Sequence, residues 1–175
     1  MLLENEKISL RAMEPKDLDL LYKWENNPTW WSLGITLAPY SRFQLKEYLE
    51  DSRKDIYELK QLRLMINYRQ TGATVGIVDL FDFDPFHRRA GIGILVDPAY
   101  QRRGIGHDAF TLLIEYAFKF LKLHQLYAHV AVGNEASKVL LERVGFSIIG
   151  VMKDWLQAEN GYQDVYLLQQ INKYH

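Results

Sequence analysis

The stretch VDPAYQRRGIG, residues Val96 to Gly106, joins an apolar run to a long segment with helical periodicity. Its proline favours a turn, and its two arginines and two glycines stand directly before the expected helix. The first N–H groups of a helix have no partner inside that helix, and the helix dipole adds partial positive charge at the same end. The stretch therefore predicts a turn that binds an anion.

Two familiar phosphate-binding folds fit this turn poorly. Residues 104–109 match the pattern G-x-G-x-x-G/A, but that fold places its first glycine directly after a strand, and here seven residues separate Val96 from Gly104. No acidic residue in 125–132 is present to hold a ribose, and no lysine followed by Ser or Thr comes after the glycines. A diphosphate held by the amides of Arg102 to His107 remains, beside the plainer alternative of a glycine-rich turn with solvated arginines.

Composition narrows the class of protein. The chain has 175 residues, enough for one domain with a sizeable core, and 48% of them are apolar. Lys+Arg and Asp+Glu number 21 and 22, so no basic field indicates nucleic acid or a membrane surface. The absence of cysteine excludes disulfides and thiolate catalysis, and the five histidines lack a metal-binding spacing. We expect a cytoplasmic protein that holds no metal and lacks both a signal peptide and a membrane span.

Hydrophobic periodicity predicts one mixed α/β domain in the order β-α-α-β-β-β-α-β-α-β-β. Ser41 with Gln44 predicts a capped helix over 42–55, and Gly145 ends a helix that begins after Asn134. Asn160-Gly161 predicts a hairpin before the last strand. The expected strands lie near 8–11, 62–69, 74–83, 90–96, 126–132, 146–149, 151–157 and 162–171.

Two segments resemble the GNAT N-acetyltransferase superfamily. Gln101 to Gly106, QRRGIG, is similar to its Q/R-x-x-G-x-G/A loop, and Asn134 to Phe146, NEASKVLLERVGF, is similar to its second cofactor segment. The branch that the chain resembles holds spermidine acetyltransferases and ribosomal-protein N-terminal acetyltransferases, and the likeness spans residues 7–172 in element order. It implies one N-acetyltransferase domain over residues 1–175, with a mixed sheet of six or seven strands, flanking helices and a splayed central strand pair.

The resemblance implies acetyl-CoA as cosubstrate. In such proteins the loop holds the diphosphate, the central strand pairs with the pantetheine arm, and an asparagine bonds that arm. Asn134 is equally explained as a helix cap and Lys138 as a solvated lysine. Gly91 and Gly93 agree with a bulge or a close approach of the ligand, or they make room for a neighbouring side chain. The positions implied for cofactor binding are Ile94, Leu95, Val96, Gln101, Arg102, Arg103, Gly104, Ile105, Gly106, His107, Asn134 and Lys138.

The chain departs from the spermidine acetyltransferases at two positions. Leu141 stands where they have a tyrosine that protonates the thiolate, and Gly91 stands where they have a glutamate. As a substitute we hypothesise that Asp79 or Asp82 takes the amine proton through water, although a solvated sheet end explains either residue. Their odd spacing places them on opposite faces of a regular strand. Tyr162 and Tyr166 are candidates to donate to sulfur, or are aromatics at the edge of the core.

The expected reaction is direct attack of a primary amine on acetyl-CoA, with a small amine or polyamine as acceptor. Two alternatives stay open: acetylation of a protein N-terminus, and a non-catalytic acyl-CoA-binding module. Trp30 and Trp31, with Tyr40 and Phe43, either form an aromatic wall around the acceptor or pack in the core. Proteins with this likeness are often dimers, so a homodimer is possible.

Overall fold

The computed structural model describes residues 2–31 and 38–174. Contacts divide the chain into two compact units, one formed by residues 13–59 and the other by residues 1–12 together with 60–175. That the two units act as one N-acetyltransferase domain stays a prediction. The larger unit contains the anion-binding turn and the whole sheet.

The smaller unit is helical in the part that the structure describes. Ser41 and Gln44 form the predicted capping box, since the Gln44 N–H donates to Ser41 Oγ at 3.1 Å and the Ser41 N–H donates to Gln44 Oε1 at 2.8 Å. The helix ends earlier than predicted because Asp55 accepts the N–H groups of Tyr57 and Glu58 and so begins a separate helix. The helices are α1 (Leu18–Glu25), α2 (Pro28–Trp31), α3 (Arg42–Asp51) and α4 (Ile56–Leu59), preceded by a 3-10 turn at Pro15–Asp17.

A seven-stranded mixed sheet forms the larger unit, which confirms the predicted fold class. Its spatial order is β1-β2-β3-β4-β5-β7-β6, and every neighbouring pair is antiparallel except β4 and β5. Residues 147–158 form one strand where the sequence predicted two segments, because the chain stays extended through a register shift beside Gly150. The strands are β1 (Ile8–Arg11), β2 (Leu62–Tyr68), β3 (Ala73–Asp84), β4 (Arg89–Val96), β5 (Gln125–Ala131), β6 (Ser147–Ala158) and β7 (Gly161–Ile171).

One long helix packs on the sheet and fixes the direction of the anion-binding turn. Helix α5 (Ile105–Glu115) continues into a π-helical turn at Tyr116–Phe120 and packs against β1, β3 and β4. Its residues Ile105, Ala109 and Leu113 recur every four positions and are at most 1% exposed. Burial of a leucine side chain contributes about 2 kcal/mol, so this stripe fixes the start of α5 beside the end of β4. Helix α6 (Glu135–Arg143) follows β5.

Strands β4 and β5 part after a short parallel pairing. Their register runs through Arg89↔Gln125, Ala90↔Leu126 and Gly91↔Tyr127 and goes no further. On its other side β4 stays paired with β3 up to Gly76↔Val96. Within the described residues, positions 92–96 therefore have a strand partner on one side only. The predicted splayed central pair is confirmed, and its open edge presents backbone donors and acceptors.

The apex of this opening is packed by an aromatic ring. A Cβ added at Gly91 would lie 2.2 Å from the ring of Phe81, which stands opposite Gly91 in the sheet. The same ring meets Tyr127 edge-on, with ring centroids 6.2 Å apart. At Gly93 the nearest atom of Phe81 is 3.5 Å away, an ordinary contact. Gly91 thus makes room for a neighbouring side chain, which was one of the two explanations that the sequence left open.

Replacing this glycine tests the packing. We expect Gly91→Ala to lower the free energy of unfolding by about 1–3 kcal/mol, because Phe81 must leave its position. Urea unfolding followed by fluorescence measures the change. Gly150→Ala is the control, since nothing lies within 4 Å of the added Cβ there, and we expect a change below about 0.5 kcal/mol. Equal losses in the two variants would contradict the packing role of Gly91.

Candidate active site

The anion-binding turn is tied to the end of β4. Asp97 Oδ1 accepts the Ala99 N–H at 3.0 Å and so starts a 3-10 turn at Pro98–Tyr100. Gln101 Nε2 donates to the Val96 carbonyl at 3.1 Å, which joins the turn to the last residue of the strand. Arg103 Nη2 donates to the Ala99 carbonyl at 3.3 Å. These three hydrogen bonds all lie within residues 96–103, so they are formed by neighbouring parts of the chain.

Successive amide groups converge at the start of α5. Arg102 and Gly104 both have left-handed backbone, with φ of 60° and 75°, and Gly104 is the N-cap residue of the helix. Among the described residues no backbone carbonyl accepts from the N–H groups of residues 102–107, and Asp108 is the first to donate, to the Gly104 carbonyl at 3.1 Å. Free amides at a helix N-terminus bind phosphate oxygens. The geometry that the diphosphate prediction requires is therefore present.

Lys7 contacts this turn, and the sequence did not indicate the contact. Its Nζ donates to the Arg103 carbonyl at 3.2 Å and lies 3.4 Å from the Asp108 carboxylate. A Cβ on Gly104 would lie 3.2 Å from the same Nζ, so only glycine leaves the ammonium its present room. Lys7 precedes β1 and is 96 positions from Arg103, so no local pattern could indicate the contact.

Residues of β4 and both following helices line the opening. Ile94, Leu95 and Val96 are half-buried and lie where β4 has no partner on the β5 side. Gly106 serves packing as well as the turn, since an added Cβ would lie 3.2 Å from Leu140 and 3.8 Å from Ile94. The predicted strand and turn residues therefore lie along one continuous edge of the larger unit.

The two predicted residues of α6 both have protein partners. Asn134 Oδ1 accepts the Ser137 N–H at 3.2 Å, so Asn134 does cap the helix, a role compatible with bonding the cofactor arm. Lys138 Nζ lies 3.5 Å from Glu135 Oε1 and 6.0 Å from the centroid of the Tyr166 ring. Lys138 is thus held beside a tyrosine of β7 and is not simply solvated.

Asp79 is held by an ion pair. Arg63 Nε donates to its Oδ1 at 2.8 Å and Arg63 Nη2 to its Oδ2 at 2.9 Å, directly across the β2–β3 pair. Each of the two side chains is 18% exposed. Both oxygens of this carboxylate therefore already accept charge-assisted hydrogen bonds. The hypothesis that Asp79 takes the amine proton gains no support from this geometry.

Asp82 lies on an irregularity of β3. The β3–β4 register jumps between Phe81 and Asp84, and Asp82 has a φ of 48°, a conformation that non-glycine residues seldom adopt. The expectation that Asp79 and Asp82 face opposite sides assumed a regular strand, and the bulge removes that alternation. The negative charge of Asp82 raises the pKa of Tyr127, a residue that lies on the same sheet face as Phe81.

Tyr127 is the second residue that sequence reasoning missed. It forms the last β4–β5 pair, and its ring lies 5.7 Å from that of His129. The pKa of Tyr127 is raised, chiefly by burial and then by the negative charge of Asp82, while Arg89 acts in the opposite direction. Its only sequence signal is its place in the strand LYAHV, because the contact with Asp82 depends on the bulge.

The remaining candidates divide by position. Tyr162 is 67% exposed near the start of β7, whereas Tyr166 lies further along the strand, opposite Val130 of β5. In the smaller unit Tyr40 and Phe43 are both exposed. The side chains of Trp30 and Trp31 fall outside the described residues, so the aromatic wall stays a prediction.

Metal-binding clusters and membrane-spanning helices are both absent from the part of the chain that the structure describes. No group of three or more His, Asp or Glu side chains within residues 2–31 and 38–174 is placed to hold a metal ion. In the same ranges no helix has both the length and the apolar character that crossing a membrane requires. That the chain works without a metal stays a prediction.

A parallel strand pair that opens beside a turn of free amides has the geometry to bind an extended ligand that carries a diphosphate. A model of the acetyltransferase (GNAT) domain matches residues 7–147. Spermidine N(1)-acetyltransferase of Vibrio cholerae serotype O1 is 31% identical over 168 residues, which cover 94% of this chain and 95% of that protein. YdaF of Bacillus subtilis (strain 168), provisionally named a ribosomal N-acetyltransferase, is 30% identical over 166 residues, 92% of this chain and 89% of that one.

A solved structure shares the fold over nearly the full length. Spermidine N-acetyltransferase from Vibrio cholerae, in complex with CoA and spermine, superposes with a TM-score of 0.85 at 28% identity, over 96% of this chain and 97% of that one. The chain belongs to the GNAT acetyltransferase family. It is an acetyl-CoA-dependent N-acetyltransferase.

Gly104 gives a direct test of the amide turn. We expect Gly104→Ala to weaken CoA binding at least about tenfold, because Ala resists a φ of 75° and its Cβ meets Lys7. Isothermal calorimetry measures the dissociation constant. Gly72→Ala is the matched control, since Gly72 has a φ of 71° in the β2–β3 hairpin with nothing within 4 Å. An unchanged CoA affinity in Gly104→Ala would remove this turn from the binding site.

Proposed function

We propose that the chain transfers the acetyl group of acetyl-CoA to a primary amine of a polyamine. The observation that carries the proposal is the opened β4–β5 pair, which runs from the free amides of residues 102–107 to an acidic and aromatic apex. The relatives also support the proposal. The Vibrio cholerae protein at 31% identity is named for spermidine, and a spermidine N-acetyltransferase from Vibrio cholerae has a structure with CoA and spermine.

Acetyl-CoA binding would use backbone groups along this edge. The amides of residues 102–107 take the diphosphate, and the open edge of β4 at residues 92–96 pairs with the pantetheine arm as an added strand would. Lys7 adds a positive charge beside the diphosphate. The main effect of such binding is positioning, since holding the amine and the thioester together is equivalent to about 10⁵ M or more of local reactant.

The acidic apex favours a cationic amine. Asp82 is exposed and forms no ion pair among the described residues, whereas Asp84 lies 3.3 Å from Arg89. The pKa of Asp84 is lowered, chiefly by the hydrogen bond from the His87 N–H, so Asp84 stays ionised. Asp82 therefore attracts the substrate ammonium and, through water, takes the proton that the amine must lose. A general base of this kind contributes about 10²–10⁴-fold to the rate.

Acetylation of a protein N-terminus is the second candidate. YdaF is nearly as similar to this chain as the spermidine enzyme is. The chain also has Gly91 at the position where the resemblance to the spermidine acetyltransferases implies a glutamate. Membership of an enzyme family does not favour the third expectation, a non-catalytic module.

A panel of acceptors distinguishes the two candidates. We expect kcat/KM for spermidine and spermine to exceed that for a basic peptide with a free N-terminus by at least about 100-fold. Release of CoA thiol gives the rate, and mass spectrometry identifies the acetylated product. The polyamine rate should fall as salt rises, because Asp82 is exposed to screening. Faster acetylation of the peptide would favour the second candidate, and no acetylation of either acceptor would contradict both.

Asp79 and Asp82 of β3 should behave differently. We expect Asp82→Asn to lower kcat/KM for spermidine by about 10²-fold, since it loses both the charge and the base. Asp79→Asn should keep kcat within about threefold and lose about 1–3 kcal/mol of stability, because the half-buried ion pair with Arg63 loses its negative charge. Steady-state kinetics and urea unfolding measure the two effects. A reversed pattern would assign the base to Asp79.

We further propose an oligomeric state, a location and a metal requirement for the enzyme. A homodimer is supported by the edge strand β6, which exposes Ile148, Ile149, Val151 and Trp155. A net charge of −1 supports an enzyme that acts on small molecules in the cytoplasm, away from nucleic acid and membranes. We also propose that the reaction needs no metal.

A further inference from the structure

The reaction leaves one step without an assigned residue. When the carbon–sulfur bond breaks, the departing thiolate must gain a proton, and the resemblance to the spermidine acetyltransferases implies a tyrosine for this step at the position of Leu141. Leu141 carries no proton to give and is 3% exposed, packed into the core. Another hydroxyl close to the opening of β4 and β5 has to serve if the step is assisted.

Tyr127 lies where the two strands part. It pairs with Gly91, and from the next residue onward β5 has no register with β4. Gly91 presents no side chain toward it, and the space above Gly91 holds the ring of Phe81. Tyr127 is half-buried, and its pairing with Gly91 places it at the apex of the opening.

The groups that face this hydroxyl come from three neighbouring strands. Phe81 of β3 packs edge-on against the ring, and the negative charge of Asp82 on the same strand raises the pKa of the hydroxyl. Arg89 of β4 contributes a positive charge, and His129 of β5 lies 5.7 Å away, ring to ring. Asp82 lies on the bulge of β3 and has a strained backbone, a feature that persists where the surrounding structure enforces it.

We propose that Tyr127 is the catalytic acid that protonates the thiolate of CoA, and that Asp82 returns a proton to it. The inference rests on the acetyltransferase function proposed above. Burial and the charge of Asp82 raise the pKa of Tyr127, so the hydroxyl keeps its proton at neutral pH and is available to donate.

The proton balance of the step is complete. The amine nitrogen forms a bond to the carbonyl carbon, the carbon–sulfur bond breaks, and sulfur keeps the electron pair. Sulfur takes the proton of the Tyr127 hydroxyl, while the nitrogen loses a proton through water to Asp82. Asp82 then gives a proton to the Tyr127 phenolate. The products are the acetylated amine and CoA thiol, and both side chains end as they began.

Tyr166 is the other tyrosine near the opening, and its placement favours it less. It belongs to β7, which is separated from β4 by β5, and it lies opposite Val130 rather than at the apex. Its ring lies beneath Lys138 at 6.0 Å, and none of its described contacts includes a carboxylate that could return a proton.

The variant Tyr127→Phe removes the hydroxyl and keeps the ring that packs on Phe81. We expect kcat for spermidine to fall about 10²-fold, the alkaline limb of its pH profile to disappear, and CoA affinity by calorimetry to stay within about twofold. Tyr116→Phe is the matched control. Tyr116 is also half-buried, and burial raises its pKa as well, but it stacks on Phe120 beyond the end of α5. Its kcat should stay within about twofold.

A second measurement does not depend on turnover. In protein labelled at the tyrosine Cζ with carbon-13, the Tyr127 signal is assigned by its loss in Tyr127→Phe. We expect this signal to titrate at lower pH in Asp82→Asn, because the charge that raises the Tyr127 pKa is gone. Addition of CoA should shift the Tyr127 signal and leave the Tyr116 signal unchanged.

Each outcome separates the inference from the function on which it rests. If the wild-type protein acetylates spermidine and Tyr127→Phe keeps full kcat, the inference is overturned and the proposed function stands. A loss in Tyr127→Phe that comes with an equal loss of CoA affinity also overturns it, because binding then explains the defect. A wild-type protein that binds acetyl-CoA and acetylates no amine overturns both.

Discussion

The hydrogen bonds that β4 does not make toward β5 shape the larger unit. Buried backbone donors and acceptors are almost always paired, and an open strand edge in the middle of a sheet is costly unless water or a ligand satisfies it. Here the pairing stops after Gly91↔Tyr127, although both strands continue. The stripe of α5 that packs on the sheet sets the amide turn at the far end of the same edge. The opened edge and the turn are therefore one continuous surface of backbone polar groups.

The apex of the opening shows how the sequence maintains this geometry. Phe81 fills the position of a side chain on Gly91, and its edge rests on Tyr127. A ring wedged at the last paired position gives the strands a packed floor in place of further hydrogen bonds. Beyond Phe81 the β3 register slips, and Asp82 takes the left-handed conformation. Phe81 and Asp82 are adjacent in sequence, so the packed ring and the bulge belong to one short segment of β3.

Local patterns were enough to predict most of the fold and the turn, because caps, glycines and apolar periodicity act within a few residues. The capping box of Ser41, the hairpin glycine at 161 and the start of α5 all belong to this kind. What the sequence did not indicate depends on register. Arg63 opposes Asp79 only because of how β2 and β3 align, and Lys7 reaches Arg103 across 96 positions. The bulge at Asp82 also broke the alternation from which opposite faces were predicted.

The departures from the spermidine acetyltransferases follow from one another in this geometry. With Phe81 occupying the position of a Cβ at residue 91, no side chain fits there, so an acidic group must come from elsewhere. Asp82 lies on the bulge of β3, and its negative charge raises the pKa of Tyr127 at the same apex. The tyrosine at this apex is Tyr127, the last residue of β5 that pairs with β4. Under the proposal that Tyr127 donates the proton, a leucine at position 141, packed in the core, is compatible with catalysis.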